Sequence, residues 1–333
     1  MILVTGGAGY VGSHSAKALT RAGHDVVIYD DLSAGHREAA LGAPVIEGDI
    51  RDVDAVRRAI RGSGAGAVMH FAAWLDVGVS VRDPIGYYRN NVGGALATLE
   101  AMAAEGCRQF VFSSTCAVYG EPGEVPIRET HPTAPINAYG QTKLAIEQAL
   151  PHFERAYGIR SIRLRYFNAA GADPDGDLGE DHRPEIHVIP RAFEATRGGP
   201  VFQVFGEDYP TPDGTCLRDY VHVADLADAH VRALRRLQEG RGSATYNVGT
   251  ERPSSVREVL AAVERVTGRP VPWRAAPRRA GDPAVLYASV ERIRAELGWV
   301  AARPALETIV ADAWRWHSTH PHGFQASARR SER

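Results

Sequence analysis

"MILVTGGAGYVGSH", residues 1–14, sets a short apolar run against a glycine loop and then a helix-compatible segment. Gly7, Gly9 and Gly12 satisfy GxGxxG, and Gly6, Gly9 and Gly12 satisfy the related GxxGxxG. A glycine fingerprint carries meaning when it follows a strand and opens a helix, as it does here. Bare backbone lets a diphosphate approach closely, and the helix N-terminus supplies N–H donors and partial positive charge. Asp30 closes the next apolar run, eighteen residues after Gly12, where a carboxylate can hydrogen-bond the adenosine ribose hydroxyls. It would repel a 2'-phosphate, so NAD is favoured over NADP. "GDIRD" (48–52) offers Asp49 to an adenine edge, although taken alone Asp49 reads as an N-cap for a helix over 51–61.

Working outward, short runs with the length and β-branched content of buried strands recur at 1–5, 25–30, 44–49, 67–72, 109–114 and 161–167. Helix candidates lie between them near 10–22, 51–61, 84–104 and 138–156, the last expected to bend or break at Pro151. Such alternation predicts an α/β fold with a doubly wound parallel sheet of the Rossmann type. From about residue 169 the loops lengthen, around a helix at 187–197 and a strand "VFQVFG" (201–206). That texture predicts a smaller mixed α/β substrate domain over 169–323, interleaved with the first domain (1–168) because 219–248 returns to it. Residues 324–333 read as a frayed tail. No internal repeat is visible.

The chain has 333 residues, 44% of them hydrophobic, enough for one or two cores. Its 38 Lys and Arg nearly balance 40 Asp and Glu, for a net charge of -2 without a basic run, which excludes an electrostatic footprint for nucleic acid. Cys107, Cys116 and Cys216 lack metal-ligand spacing and read as free thiols. With no long apolar run and no basic leader at the first residues, the expectation is a soluble cytoplasmic protein with small-molecule partners, no membrane partner and no metal.

In "NAYGQTK" (137–143), Tyr139 and Lys143 stand four apart and share a helix face. An ammonium beside a phenol, together with an oxidised nicotinamide ring, favours the phenolate and makes a usable general base. "FSSTCAVYG" (112–120) places Ser113, Ser114 and Thr115 at the carboxyl end of a strand, where ligands bind in open α/β sheets. Thr115 can hold a substrate oxygen beside Tyr139. Those hydroxyls have an alternative in backbone carbonyls.

These motifs, with "HFAAWLDVGVSV" (70–81), "YYRNNVGG" (87–94), "RYFNAAGA" (165–172), "DYPTPDGTCLRDYVHVADLADAH" (208–230), "YNVGT" (246–250) and "RRAGDP" (278–283), make the chain resemble the extended short-chain dehydrogenase/reductases over residues 2–323. Within them it is most similar to the UDP-glucose (UDP-galactose) 4-epimerases. The resemblance implies 4-epimerisation of a UDP-hexose through a transient 4-keto sugar, with NAD retained throughout. It implies Tyr139 as base, Thr115 as orienting hydroxyl and Lys143 on the nicotinamide ribose. It places cofactor contacts at Gly6, Gly9, Tyr10, Val11, Gly12, Asp30, Asp49, Ile50, Phe71, Ala72, Ala73, Asn90, Lys143 and Phe167. Substrate contacts fall at Thr115, Tyr139, Asn168, His187, Val188, Arg218, Arg279 and Asp282, with a homodimer as the assembly. Arg218 and Arg279 suit a diphosphate as guanidinium forks, although alone they read as surface ion-pair partners.

Thr115 replaces a serine common in the family, Leu75 an ammonium near the cofactor, His187 an asparagine in the uridine stretch, and Leu286 a tyrosine near the hexose. A solitary histidine is more often structural. Cys116 and Ala117 stand where sugar-nucleotide dehydratases carry their acid, which disfavours dehydration. UDP-pentose, UDP-uronate and UDP-N-acetylhexosamine 4-epimerases stay open, as does a non-catalytic NAD-binding redox sensor, which would not need Tyr139 and Lys143.

Overall fold

The computed structural model describes residues 1–279 and 282–324. In chain order the strands are β1 (Ile2–Thr5), β2 (Val26–Asp30), β3 (Val45–Glu47), β4 (Ala67–His70), β5 (Gln109–Thr115), β6 (Arg160–Tyr166), β7 (Asn168–Ala170), β8 (Phe202–Phe205), β9 (Leu217–His222), β10 (Ala244–Val248), β11 (Pro253–Ser255), β12 (Trp273–Ala276) and β13 (Val285–Leu286). Seven of them form one sheet in the order β10-β6-β5-β4-β1-β2-β3, and every pairing in it is parallel. Successive residues of β1 serve opposite faces: Ile2 and Val4 join one core cluster and Leu3 the other. The sheet is covered on both sides, which is why its central strands are apolar runs rather than alternating ones. The doubly wound α/β class expected from the sequence is the one observed.

Strand order reverses between β1 and β4, and this switch point opens a crevice at the carboxyl ends of the strands. Thr5, at the end of β1, accepts hydrogen bonds from both Phe71 N (2.8 Å) and Ala72 N (3.1 Å), so the two strand exits are tied together.

The segment 219–248 divides. β10 extends the large sheet beside β6 and the helix Val223–Gln238 packs on Tyr10–Arg21, whereas β9 pairs with β7, β11 and β13 in a small second sheet. A third cluster, including Phe193, Val263 and Ile309, underlies that second layer. β12 pairs in parallel with β8, a partnership no local pattern announces.

The helix Ala138–Tyr157 runs unbroken through Pro151, against the expected break; the proline sits on the solvent side. The helical stretch expected at 84–104 is present but carries a π-helical turn at Tyr88–Gly93, which buries Asn90 and Asn91. Asp52, not Asp49, caps the helix Val53–Ser63, accepting from Ala55 N at 2.9 Å. Phe324 is buried against Trp316, with ring centroids 5.2 Å apart, so it is no part of a frayed tail; the rest of that expected tail lies outside the described residues.

Candidate active site at the switch point

The glycines do different work. A Cβ on Gly6 (φ +70°) would stand 2.4 Å from Ala72 N, and one on Gly12 would stand 2.1 Å from Gly6 O, so both are bare because the protein packs on itself there. Gly9 is not: its φ is -82°, and a Cβ would meet nothing nearer than Gly6 O at 3.4 Å. It is the N-cap of the helix Tyr10–Arg21, and the half-buried backbone it leaves bare of side chain there fits a dinucleotide diphosphate.

Asp30 is buried at the end of β2 and accepts from Ala8 N and Leu32 N, each at 2.9 Å, bracing the loop. Burial raises its carboxyl pKa. Asp49 is paired with Arg51 at 2.5 Å, and that guanidinium holds the carboxyl below its usual range. Tyr10 reaches across to the second layer, donating to Gly171 O at 2.7 Å. Val11 packs on the core, Ile50 presses on Gly94, and Phe71 lies 4.7 Å from the His230 ring. Ala72 and Ala73 continue the half-buried exit of β4. Asn90 donates to Asn91 Oδ1 (3.0 Å), Asn91 accepts from Trp74 N (2.9 Å), and Phe167 is buried beyond β6. Leu75 is 40% exposed.

Across the crevice, Tyr139 and Lys143 do share a face: Lys143 Nζ lies 5.9 Å from the Tyr139 ring centroid and 5.1 Å from that of Phe112. Lys143 is buried, with Nζ donating to Ser113 O at 2.9 Å. Burial depresses the ammonium to about 7, opposed by the Glu147 carboxylate. The Tyr139 phenol is pushed well up by burial, with Tyr166 adding to the rise and Thr115 opposing it. In the chain alone the phenol is therefore held protonated, and the phenolate expected from the sequence needs the positive charge of the oxidised nicotinamide as well as the lysine. Thr115 ends β5 and accepts from Ala117 N at 3.1 Å.

Lys143 makes a stability prediction. Its folded pKa lies below the ordinary 10.5, so unfolding takes up a proton between about 7 and 10.5. The cofactor-free chain should gain stability as pH rises through that window, and Lys143→Met should flatten the gain. Melting temperatures of both proteins at neutral pH and near pH 10 would read it.

Substrate-side residues fall into three places. Arg218 is buried on β9 and paired with Asp282; burial lowers its pKa, but the carboxylate outweighs this and the net shift is upward. It is not the surface pair its local sequence suggests. Leu286 is its register neighbour on β13, and Asn168 pairs with Tyr220, two residues further along β9. Arg279 is exposed and lies over the Phe205 ring at 3.9 Å. His187 N-caps the helix that Val188 begins. Nor is His187 solitary: its Nδ1 lies 2.5 Å from buried Glu180 Oε1, with His182 and Glu185 adjoining. Burial opposes the imidazolium, but Glu180 wins and raises its pKa to about 10.

The motifs did not reveal the network under the site. Glu147 accepts from Ser114 Oγ (2.5 Å) and pairs with Arg165 (2.5 Å); Arg165 donates to Tyr119 OH (3.0 Å), which donates to Asn247 Oδ1 (2.6 Å). Ser113 Oγ bonds Tyr166 OH at 2.7 Å. Ser113 and Ser114 are thus held by side chains rather than by backbone carbonyls, while Thr115 accepts from a backbone N–H. The available signal was Glu147, four residues after Lys143 on the same helix face.

Comparison with known proteins agrees with this fold. The profile described as "NAD dependent epimerase/dehydratase family" matches residues 2–249. A Lacticaseibacillus casei protein named UDP-glucose 4-epimerase is 47% identical over 325 residues, covering 97% of this chain and 98% of that protein. The solved UDP-glucose 4-epimerase from Brucella ovis, in complex with NAD, superposes with a TM-score of 0.92 at 48% identity, over 95% of this chain and 98% of that one. The enzyme from Bifidobacterium longum, in complex with NAD+ and UDP, gives 0.91 at 36% identity, over 97% and 99%.

Proposed function

Because the chain belongs to the NAD dependent epimerase/dehydratase family, we propose that it interconverts UDP-galactose and UDP-glucose with a tightly held NAD. The observation that carries this reading is that Tyr139 and Lys143 share a helix face and Lys143 bonds the carboxyl end of β5, in the same parallel sheet whose first strand leads into the glycine loop at the switch point. Gly6, Gly9, Gly12, Asp30 and the exit of β4 would hold the cofactor. When bound, oxidised NAD supplies a hydride acceptor and the extra positive charge beside the phenol. Tyr139 then takes the 4-hydroxyl proton and later returns one to the same oxygen. Thr115 orients that oxygen, and Lys143 holds its charge a helical turn from the phenol. Arg218, with Asn168, Val188, His187, Arg279 and Asp282, would anchor the uridine diphosphate while the sugar turns over. Cys116 and Ala117 follow Thr115 without an acid, which favours epimerisation over dehydration.

The helical face over residues 77–105 leaves Val81 (64%), Ile85 (65%), Tyr88 and Leu96 exposed, which supports a homodimer; a monomer mass in light scattering would overturn it. No helix among the described residues is long and apolar enough to cross a membrane. The three cysteines are free, and we place the protein in the cytoplasm. Product identification after incubation with UDP-glucose, UDP-N-acetylglucosamine and UDP-xylose tests the sugar, since the resemblance puts Leu286, the register neighbour of Arg218, near the hexose. Exclusive turnover of a substrate other than the UDP-hexose would overturn the hexose assignment.

A further inference from the structure

The strand that carries Thr115 and the helix that carries Tyr139 and Lys143 must keep a fixed offset, because a misplacement of about 1 Å costs about 100-fold in rate. Among the described residues two side chains of the helix hydrogen-bond to that strand: Lys143, to Ser113 O, and Glu147, which also ties in β6. Glu147 lies two turns below Tyr139 on the helix Ala138–Tyr157 and is 5% exposed. Its Oε1 accepts from Ser114 Oγ, next to Thr115, at 2.5 Å. Both carboxylate oxygens take Arg165 from β6, Oε1 from Nε at 3.0 Å and Oε2 from Nη2 at 2.5 Å. Arg165 in turn continues to Tyr119 and Asn247 on the far side of the turn after β5. We propose that Glu147 is a positioning residue for the reaction: it clamps β5 to the helix of the base and sets one negative charge a turn from the Lys143 ammonium.

The surroundings of Lys143 show why that charge matters. Nζ has one hydrogen bond, to Ser113 O, and packs near the rings of Phe112 and Tyr139. His70 lies close enough to feel its field and is held neutral by burial, with its pKa lowered to about 3. Arg165 and Arg163 on β6 are further cations in contact with Glu147 or its field. Against burial, Glu147 is the group that supports the charged lysine. Neutralising it removes that support and leaves the arginines, so the ammonium is lost at lower pH.

This inference rests on the reading of Tyr139 and Lys143 above, and the experiment separates the two. The full-length protein with its copurified cofactor is assayed with UDP-galactose; absence of wild-type turnover would sink that reading rather than the clamp. Given turnover, Glu147→Gln should lower kcat by about 10- to 100-fold with KM changed less than about twofold. It should also move the alkaline limb of the kcat profile down by about one pH unit. Glu147→Asp keeps the charge and withdraws the reach to Ser114, so it should lower kcat and leave the alkaline limb where the wild type has it. Ser114→Ala strands no charge and guards against a variant that fails to fold; it should cut kcat about 3- to 10-fold, again without moving the limb. A lower melting temperature with wild-type kcat and an unmoved limb in Glu147→Gln, or wild-type kcat in Ser114→Ala, would overturn the proposal.

Discussion

Tyr139→Phe should cost about 1000-fold in turnover of UDP-galactose, the scale of a lost general base, while the purified protein keeps its NAD. On the proposed reading the phenol oxygen exchanges the proton with the sugar 4-oxygen, and the substitution leaves the ring, with its packing near Lys143, in place. Burial holds the phenol protonated in the bare chain, so the base appears only when positive charge is added beside it. The catalytic form therefore depends on the cofactor, and a variant unable to hold NAD should fail as completely as one without the hydroxyl. Retained turnover in Tyr139→Phe would mean that another group moves the proton.

Gly9→Ala should separate cofactor binding from folding. The added Cβ would meet only Gly6 O, at 3.4 Å, and the backbone at φ -82° suits any residue, so the chain should fold with a helix-cap penalty of about 0.5–1 kcal/mol. NAD should bind at least about tenfold more weakly, because the methyl stands where the diphosphate must approach bare backbone. Gly12→Ala is the control with the opposite profile: its Cβ would lie 2.1 Å from Gly6 O, and overpacking of that kind costs about 1–3 kcal/mol or more in stability. Bound-cofactor absorbance and thermal melting, read side by side, distinguish them. Wild-type NAD content in Gly9→Ala would remove the argument that this glycine serves a ligand.

What the sequence made legible were features whose physics is local. β1, the glycine loop and Asp30 announce themselves within thirty residues, because strand, turn and helix each have their own period. That Tyr139 and Lys143 share a face was readable from helix geometry alone, whereas their roles were implied by the resemblance. Less legible was anything set by burial or by distant partners. Arg218 looked like a surface ion-pair partner, and only the packing of β9 between β11 and β13 makes it a buried one. Asp49 and Asp52 compete for the same cap within four residues, and spacing alone cannot choose between them. Pro151 looked like a break, yet the surrounding tertiary packing carries the helix through it. Glu180 and His187 lie seven residues apart in a turn-rich loop, and no periodicity connects them.

The most direct test is to incubate the purified protein, with no added cofactor, with UDP-galactose deuterated at C4 and to follow the sugar by NMR. The account predicts UDP-glucose with the label still at C4, since the chain moves the oxygen-bound proton through Tyr139 and never exposes the C4 hydrogen to water. No interconversion, or a label washed out into solvent, would contradict it.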